Sequence, residues 1–102
     1  MTAQKRGDVR ERRNVRIRGV VQGVFFRETV SRIAARYDVH GFVRNVASNT
    51  VEIEAEGEPK VVNAFITDVL AHPPSGARIT SVQSTKAPVL DEAGFSVARS
   101  VR

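Results

Sequence analysis

The sequence predicts an α+β domain in which two helices cover one face of an antiparallel β-sheet. Segments of alternating apolar and polar residues indicate half-buried strands, and two segments with apolar residues every three to four positions indicate helices. Their order is strand, helix, strand, strand, helix, strand. The chain has 102 residues, 41% of them hydrophobic and 26% charged, which is typical of one globular domain.

Five segments have strand character: residues 14–21, 39–45, 51–56, 77–85 and 95–101. In the third, apolar residues alternate with Glu52, Glu54 and Glu56, so one face is expected to be apolar and the other wet. A turn at residues 47–50 joins the second and third strands into a hairpin. We interpret these three glutamates, with Glu58, as a solubilising row that protects a sheet edge.

The two helices are predicted after the first and third strands. Residues 30, 33, 34 and 37 form the apolar stripe of the first, which is expected to begin near Arg27 and end near Asp38. The second begins at Pro59, which suits a first helical turn, and His72-Pro73-Pro74 ends it. This β-α-β-β-α-β order, with a short C-terminal strand, predicts a ferredoxin-like split βαβ fold.

The net charge of +5 is concentrated near the N-terminus. Residues 1–13 have five basic and two acidic residues, so we predict a flexible basic tail over 1–13 and one domain over 14–102. A nucleic-acid-binding arm is the less favoured interpretation of the tail. The chain has no cysteine, which excludes disulfides and thiolate chemistry and fits a reducing cytoplasm.

The turn between the first strand and the first helix is a candidate anion site. Glycines at 19 and 23 bracket it, and it leads into a helix N-terminus, where backbone N–H groups and the helix dipole favour an anion. Arg27 adds a planar cation in the first helical turn, a position that disfavours cations unless an anion is bound there. A solvated arginine beside a structural turn is the alternative.

Two other features could contribute chemistry. Asn45, at the end of the second strand, has an amide that can both orient a water molecule and donate to a phosphoryl oxygen, although the spacing alone favours a turn-capping role for this asparagine. His40 and His72 have no carboxylate or second histidine at metal-ligand spacing, which favours structural or surface roles.

Two segments resemble the signatures of the acylphosphatase family. Residues 17–27, IRGVVQGVFFR, are similar to the first signature, and residues 41–45, GFVRN, continuing to Val51 and Gly57, are similar to the second. The resemblance covers roughly residues 12–101. It implies the ferredoxin-like fold and the hydrolysis of acyl phosphates to a carboxylate and inorganic phosphate, without metal or cofactor.

The resemblance also implies the roles of the site residues. Arg27 would bind phosphate oxygens and Asn45 would orient the attacking water. The phosphate would be held by main-chain N–H groups of the loop, namely those of Gly19, Val20, Val21, Gln22, Gly23, Val24 and Phe25. Two positions depart from the family pattern, since Asn49 stands where glycine is usual in the hairpin turn and Val46 where a hydroxyl residue is common. We expect Asn49 to supply the positive φ of that turn.

The expected protein is a cytoplasmic monomer that acts on a small molecule, with no membrane or nucleic-acid partner. Two alternatives remain open at this point. One is a domain of the same fold that binds phosphate or carbamoyl phosphate without turnover. The other is an RNA-binding module, for which the sequence has few aromatic residues to stack on bases.

Overall fold

The computed structural model describes residues 10–102, which form a five-stranded sheet and two helices. The elements are β1 (Glu11–Val20), α1 (Phe26–Ala34), β2 (His40–Val46), β3 (Thr50–Gly57), α2 (Pro59–Ala71), β4 (Arg78–Ala87) and β5 (Phe95–Val97). The strand order is β4-β1-β3-β2-β5. The predicted ferredoxin-like fold is confirmed. No helix in the described part of the chain is long and apolar enough to cross a membrane.

The sheet is antiparallel except at one edge. β5 pairs with β2 in parallel, which makes the sheet mixed, and it is shorter than the predicted strand at 95–101. Beyond β5 the chain keeps only separate hydrogen bonds to β2. The Ala98 N–H donates to the Val43 carbonyl, and the Val101 N–H donates to the Asn45 carbonyl.

The core lies between the helices and one face of the sheet. Helix α1 ends at Ala34, earlier than predicted, because the Arg36 and Tyr37 N–H groups bond three residues back and tighten the chain into turns. The Phe65 ring of α2 makes edge contacts with Tyr37 and Phe95. The fully buried apolar side chains include Val15, Ile17, Val30, Val43, Val51, Ala55, Val62 and Phe65.

Strand β1 begins at Glu11, three residues before its predicted start. Arg12 and Arg13 therefore belong to the sheet, and the predicted tail over residues 1–13 is wrong for residues 11–13. Arg12 is 1% exposed and is held by carboxylates of Glu54, Glu56 and Glu92 at 2.5–3.1 Å. These ion pairs keep a basic residue in the sheet. Residues 1–9 lie outside the described part, so the tail remains a prediction there.

The glutamate row of β3 does not protect an edge, and that interpretation is wrong. β3 is the central strand, with arginines of β1 and β2 on either side. Glu52 is 3% exposed and pairs with Arg44 at 2.6 Å and Arg16 at 3.2 Å. Glu56 is fully buried. The row is an ionic layer on the sheet face away from the helices.

Hydrogen bonds keep Glu56 ionised in spite of its burial. Burial by itself raises the pKa of a carboxyl group. The Leu90 and Asp91 backbone N–H groups donate to Glu56 at 2.8 and 2.9 Å, and Arg12 donates at 3.1 Å. These donors outweigh the burial and leave the pKa of Glu56 below its ordinary value of 4.5. Glu56 thus anchors the 88–94 segment to the sheet.

Replacing Glu56 by glutamine should destabilise the fold near neutral pH by about 3 kcal/mol, because it leaves Arg12 buried with one carboxylate fewer. Glu56 binds its proton more weakly in the folded than in the unfolded chain, so its contribution is complete above pH 4.5 and is lost as the pH falls through the folded pKa. Urea unfolding of the wild type and Glu56→Gln from pH 7 to pH 3 measures this. The gap between them should narrow below pH 4.5.

The matched control for this series is Glu58→Gln, since the Glu58 side chain is exposed and makes no helix-capping hydrogen bond. It should change the free energy of unfolding by less than about 0.5 kcal/mol at every pH. A Glu56→Gln difference that stays constant down to pH 3 would contradict the assignment of the acid dependence to Glu56.

Candidate active site

Near the end of β1, just before the loop to α1, lies a glycine that no other residue can replace without strain. The pairing of β1 with β4 shifts register between Arg18 and Gly19, and Gly19 has a φ of +140°. A Cβ atom there would lie 2.0 Å from the Arg78 carbonyl oxygen. The Gly19 N–H donates to the Asn49 carbonyl at 3.0 Å. The loop is therefore fixed at its base to both β4 and the β2–β3 hairpin turn.

The loop ends in a residue of left-handed conformation. Phe25 is the N-cap of α1, with φ +63° and ψ +28°, and its side chain makes no capping hydrogen bond. Within residues 10–102, no acceptor is hydrogen-bonded to the backbone N–H groups of residues 21–25. These donors, and those of the first helical turn, are available to an anion.

The Gln22 side chain ties the loop to the hairpin turn. Its Nε2 lies 3.3 Å from the Val46 carbonyl oxygen, 3.2 Å from that of Ala47 and 2.9 Å from that of Thr50. A primary amide is the uncharged side-chain group that presents two N–H donors at one atom. Gln22 thus fixes the distance between the loop and the end of β2.

The hairpin turn does not use Asn49 as predicted. The residue with positive φ is Ala47, at +56°, so the expectation for Asn49 is wrong. Asn49 instead uses its backbone carbonyl for Gly19 and its side-chain oxygen to accept from the Thr50 hydroxyl at 3.0 Å. The left-handed residue of the turn therefore lies two positions before Asn49, and Asn49 supports the base of the loop.

Asn45 stands at the end of β2, opposite Val51 of β3. Its Oδ1 atom is buried and has no hydrogen-bond partner among the described residues. A buried carbonyl oxygen without a partner costs about 1–3 kcal/mol, so such an atom requires an explanation. The amide can also exchange its O and N positions by rotation, which lets either atom act at this place. A ligand or water that both donates and accepts would suit this side chain.

The loop, Arg27 and Asn45 meet in one cleft of about 600 Å³. Arg27 is half-buried and, in the part of the chain that the structure describes, pairs with no carboxylate. The cleft is lined by Val21, Gln22, Gly23, Phe25, Phe26, Arg27, Glu28, Asn45 and Val97. A guanidinium, an amide and a set of backbone N–H groups, the first and last without partners among residues 10–102, therefore converge on one space.

The other predicted loop residues lie outside the lining of this cleft. Gly19 packs on the β4 backbone, Val20 pairs with Arg78, and Val24 packs against the core. Both histidines are also elsewhere. His40 accepts a hydrogen bond from the Gly94 N–H at 2.8 Å, and His72 lies 2.9 Å from Asp68.

Three lining residues, Phe26, Glu28 and Val97, were not predicted from the sequence. Glu28 directly follows Arg27, so its proximity to the site could have been inferred. Val97 comes from β5, and nothing in the local sequence indicates that this strand lies in parallel beside β2. Within residues 10–102, no three histidine, aspartate or glutamate side chains form a group that could hold a metal ion.

A model of the acylphosphatase family matches residues 13–97. The chain belongs to the acylphosphatase family. An acylphosphatase of Acidovorax sp. (strain JS42) is 39% identical over 89 residues, which cover 87% of this chain and 91% of that protein. The family assignment thus rests on nearly the whole domain.

Solved structures of acylphosphatases and of a larger protein share this architecture. The structure of an acylphosphatase from Coxiella burnetii superposes with a TM-score of 0.82 at 30% identity, over 95% of this chain and all of that one. Full-length HypF, in a phosphate- and nucleotide-bound form, contains a region with a TM-score of 0.85 and 37% identity. The match covers 90% of this chain but only 12% of HypF.

The Gln22 bridge predicts a specific sensitivity of this acylphosphatase-family domain. Gln22→Glu replaces the donor with a carboxylate that faces the carbonyl oxygens of the hairpin turn. We expect the free energy of unfolding to fall by about 1–3 kcal/mol. A shift of the loop relative to Asn45 should lower kcat for an acyl phosphate about 100-fold. Steady-state kinetics and urea unfolding measure the two effects.

Gln83→Glu is the matched control, since it makes the same chemical change at an exposed position of β4. It should leave both quantities close to wild type. Equal kinetic effects of the two substitutions would mean that the added charge, and not the lost bridge, is responsible.

Proposed function

We propose that this chain hydrolyses the carboxyl–phosphate bond of small acyl phosphates, giving a carboxylate and inorganic phosphate. The observation that carries the proposal is the convergence of the 21–25 loop, Arg27 and Asn45 on one cleft. Membership of the acylphosphatase family supports the same reaction.

In this proposal the loop and Arg27 hold the phosphoryl group. Main-chain N–H groups of the loop and the N-terminus of α1 point positive dipole ends at the oxygens. Arg27 can bind two oxygens at once through its planar guanidinium, and no carboxylate among the described residues competes for it. These groups also stabilise the charge that the equatorial oxygens carry in the transition state.

Asn45 orients the attacking water in this proposal. Its buried, unpartnered Oδ1 can accept a hydrogen bond from that water, and the amide N–H groups can donate to the phosphoryl group. The water oxygen bonds to phosphorus as the bond between phosphorus and the acyl oxygen breaks. The acyl oxygen leaves as a carboxylate, a weakly basic anion that needs little protonation, and positioning supplies most of the rate enhancement. The mechanism requires no metal.

The first experiment is hydrolysis of benzoyl phosphate in the presence of a chelator. Arg27→Ala should weaken inhibition by inorganic phosphate and lower kcat/KM at least about 100-fold, because a charged ligand of the transition state is lost. Asn45→Ala should lower kcat by about 100-fold or more and leave phosphate inhibition near wild type.

Each substitution has a control on the same type of residue. Arg32→Ala removes an exposed arginine of α1, and Asn63→Ala removes an exposed asparagine of α2. Both should retain wild-type kinetics. Phosphate binding that needs Arg27, without turnover by the wild type, would mean a binding domain that lacks the reaction. Equal losses of phosphate inhibition in both site variants would contradict the separate roles.

The proton of the attacking water passes to a phosphate oxygen of the substrate in this proposal. Glu28 is the one carboxylate among the residues that line the cleft, and no histidine is among them. We therefore expect kcat to be flat from pH 6 to 8 and Glu28→Gln to retain at least about half of it. A pH–rate inflection near the histidine range, or a loss of about 100-fold in Glu28→Gln, would show that a protein group takes the proton.

We further propose that the protein works as a cytoplasmic monomer on small molecules and not on nucleic acid. One chain supplies all lining residues of the cleft, and the sequence has no cysteine. On the outer sheet face, the Phe42 ring is covered by the Arg44 guanidinium at 5.1 Å. One face of that ring is therefore not open for stacking on a base.

A further inference from the structure

We propose that Phe25 and Val97 form an apolar subsite for the acyl group, which makes the domain selective for acyl phosphates with an uncharged, apolar acyl group. This inference rests on the proposed function and adds to it the chemical class of the substrate. Both residues line the cleft that contains Arg27 and Asn45.

The Phe25 side chain is unusual in its exposure. It is 73% exposed, whereas the adjacent Phe26 is 2% exposed and belongs to the core. Phe25 also holds a left-handed conformation that is uncommon for an aromatic residue, with φ at +63°. Packing does not account for a phenyl ring in this place, because most of its surface faces solvent. Its position in the cleft supplies a function, since a ligand there can cover the ring.

Val97 contributes apolar surface from a different element. It belongs to β5 and is 48% exposed. The remaining apolar side chains of the lining, Val21 and Phe26, are 1% and 2% exposed and offer little surface to a ligand. The open apolar surface of the cleft therefore comes from Phe25 and Val97.

The charges of the cleft oppose a second anionic group. Arg27 is the one cation among the lining residues, and the transferred phosphoryl group uses it. A second phosphate or a carboxylate on the acyl portion would find Glu28 and no further lysine or arginine among those residues.

Polar acyl groups are disfavoured as well. The Gln22 Nε2 is engaged with the hairpin turn, so a carbamoyl group would have to pair with Glu28 or with Asn45, whose amide is used for the attacking water. An apolar acyl group needs no such partner and covers the exposed ring.

The test compares kcat/KM for benzoyl phosphate and for carbamoyl phosphate in each variant. The ratio of the two removes losses that both substrates share. Phe25→Ala keeps a Cβ and the same backbone strain and removes only the ring, so the ratio should fall about tenfold, the effect of about 50 Å² of lost apolar contact. Phe25→Tyr retains the ring and should retain the ratio. Val97→Ser should lower the ratio by a factor of about three.

Leu90→Ala is the control for loss of an exposed apolar side chain. Leu90 is 57% exposed and is not among the lining residues, so the ratio should equal that of the wild type. An unchanged ratio in Phe25→Ala, with both substrates still hydrolysed, overturns the subsite and leaves the proposed function intact. Failure of the wild type to hydrolyse either substrate overturns the proposed function and this inference with it.

A binding measurement covers the case in which Phe25→Ala loses turnover of both substrates. Calorimetric titration with benzylphosphonate and methylphosphonate, neither of which has an acyl–phosphate bond, reports the subsite alone. The wild type should bind benzylphosphonate about tenfold more tightly. Phe25→Ala should bind the two with equal affinity, and a preference that persists in this variant contradicts the inference.

Discussion

The antiparallel register between β1 and β3 is the constraint on which the site depends. Arg18 of β1 lies opposite Thr50 of β3, and Val51 lies opposite Asn45 of β2. The loop that leaves β1 therefore lies beside the turn that enters β3, and the end of β2 is held at the same edge. A one-residue slip would invert the faces of β1 and bury its arginines among the core side chains. The core thus fixes the register, and the register places the cleft.

The ionic layer stabilises this register from the opposite face. Glu52 accepts hydrogen bonds from both neighbouring strands, through Asn14 at 2.7 Å and Arg44 at 2.6 Å. Each shifted pairing would separate buried charges from their partners, at a cost of several kcal/mol. Hydrophobic burial favours the compact fold, and the charge pattern favours one alignment of its strands. Both faces of the central sheet thus select the same strand register. This suits the active site, whose residues need accurate placement.

The sequence was sufficient for the element order, the fold and the family, because the strand and helix periods are clear and both signatures are local. The start of β1 could not be predicted, because the charge of the buried Arg12 is compensated in part by Glu92, which is 80 positions away along the chain. The glutamate row of β3 also depends on non-local pairing, because its arginine partners lie on other strands. Of the site, the loop and Arg27 follow from a local motif, whereas Val97 depends on a parallel pairing between distant strands. The left-handed Ala47 has no sequence signal, because alanine is not typical of that conformation.

The cleft is lined by residues that are far apart in the chain. Val21 comes from a loop near the start of the domain and Val97 from a strand close to its end, and both line the cleft that contains Asn45. No short segment of the chain contains the whole site, and its geometry exists only when the sheet is complete. An anion that occupies the cleft would therefore bind the native state and not the unfolded chain. At 100 times its Kd such a ligand would add about 2.7 kcal/mol to the free energy of unfolding. Occupancy of the active site and global stability of this small domain are in this way one linked equilibrium.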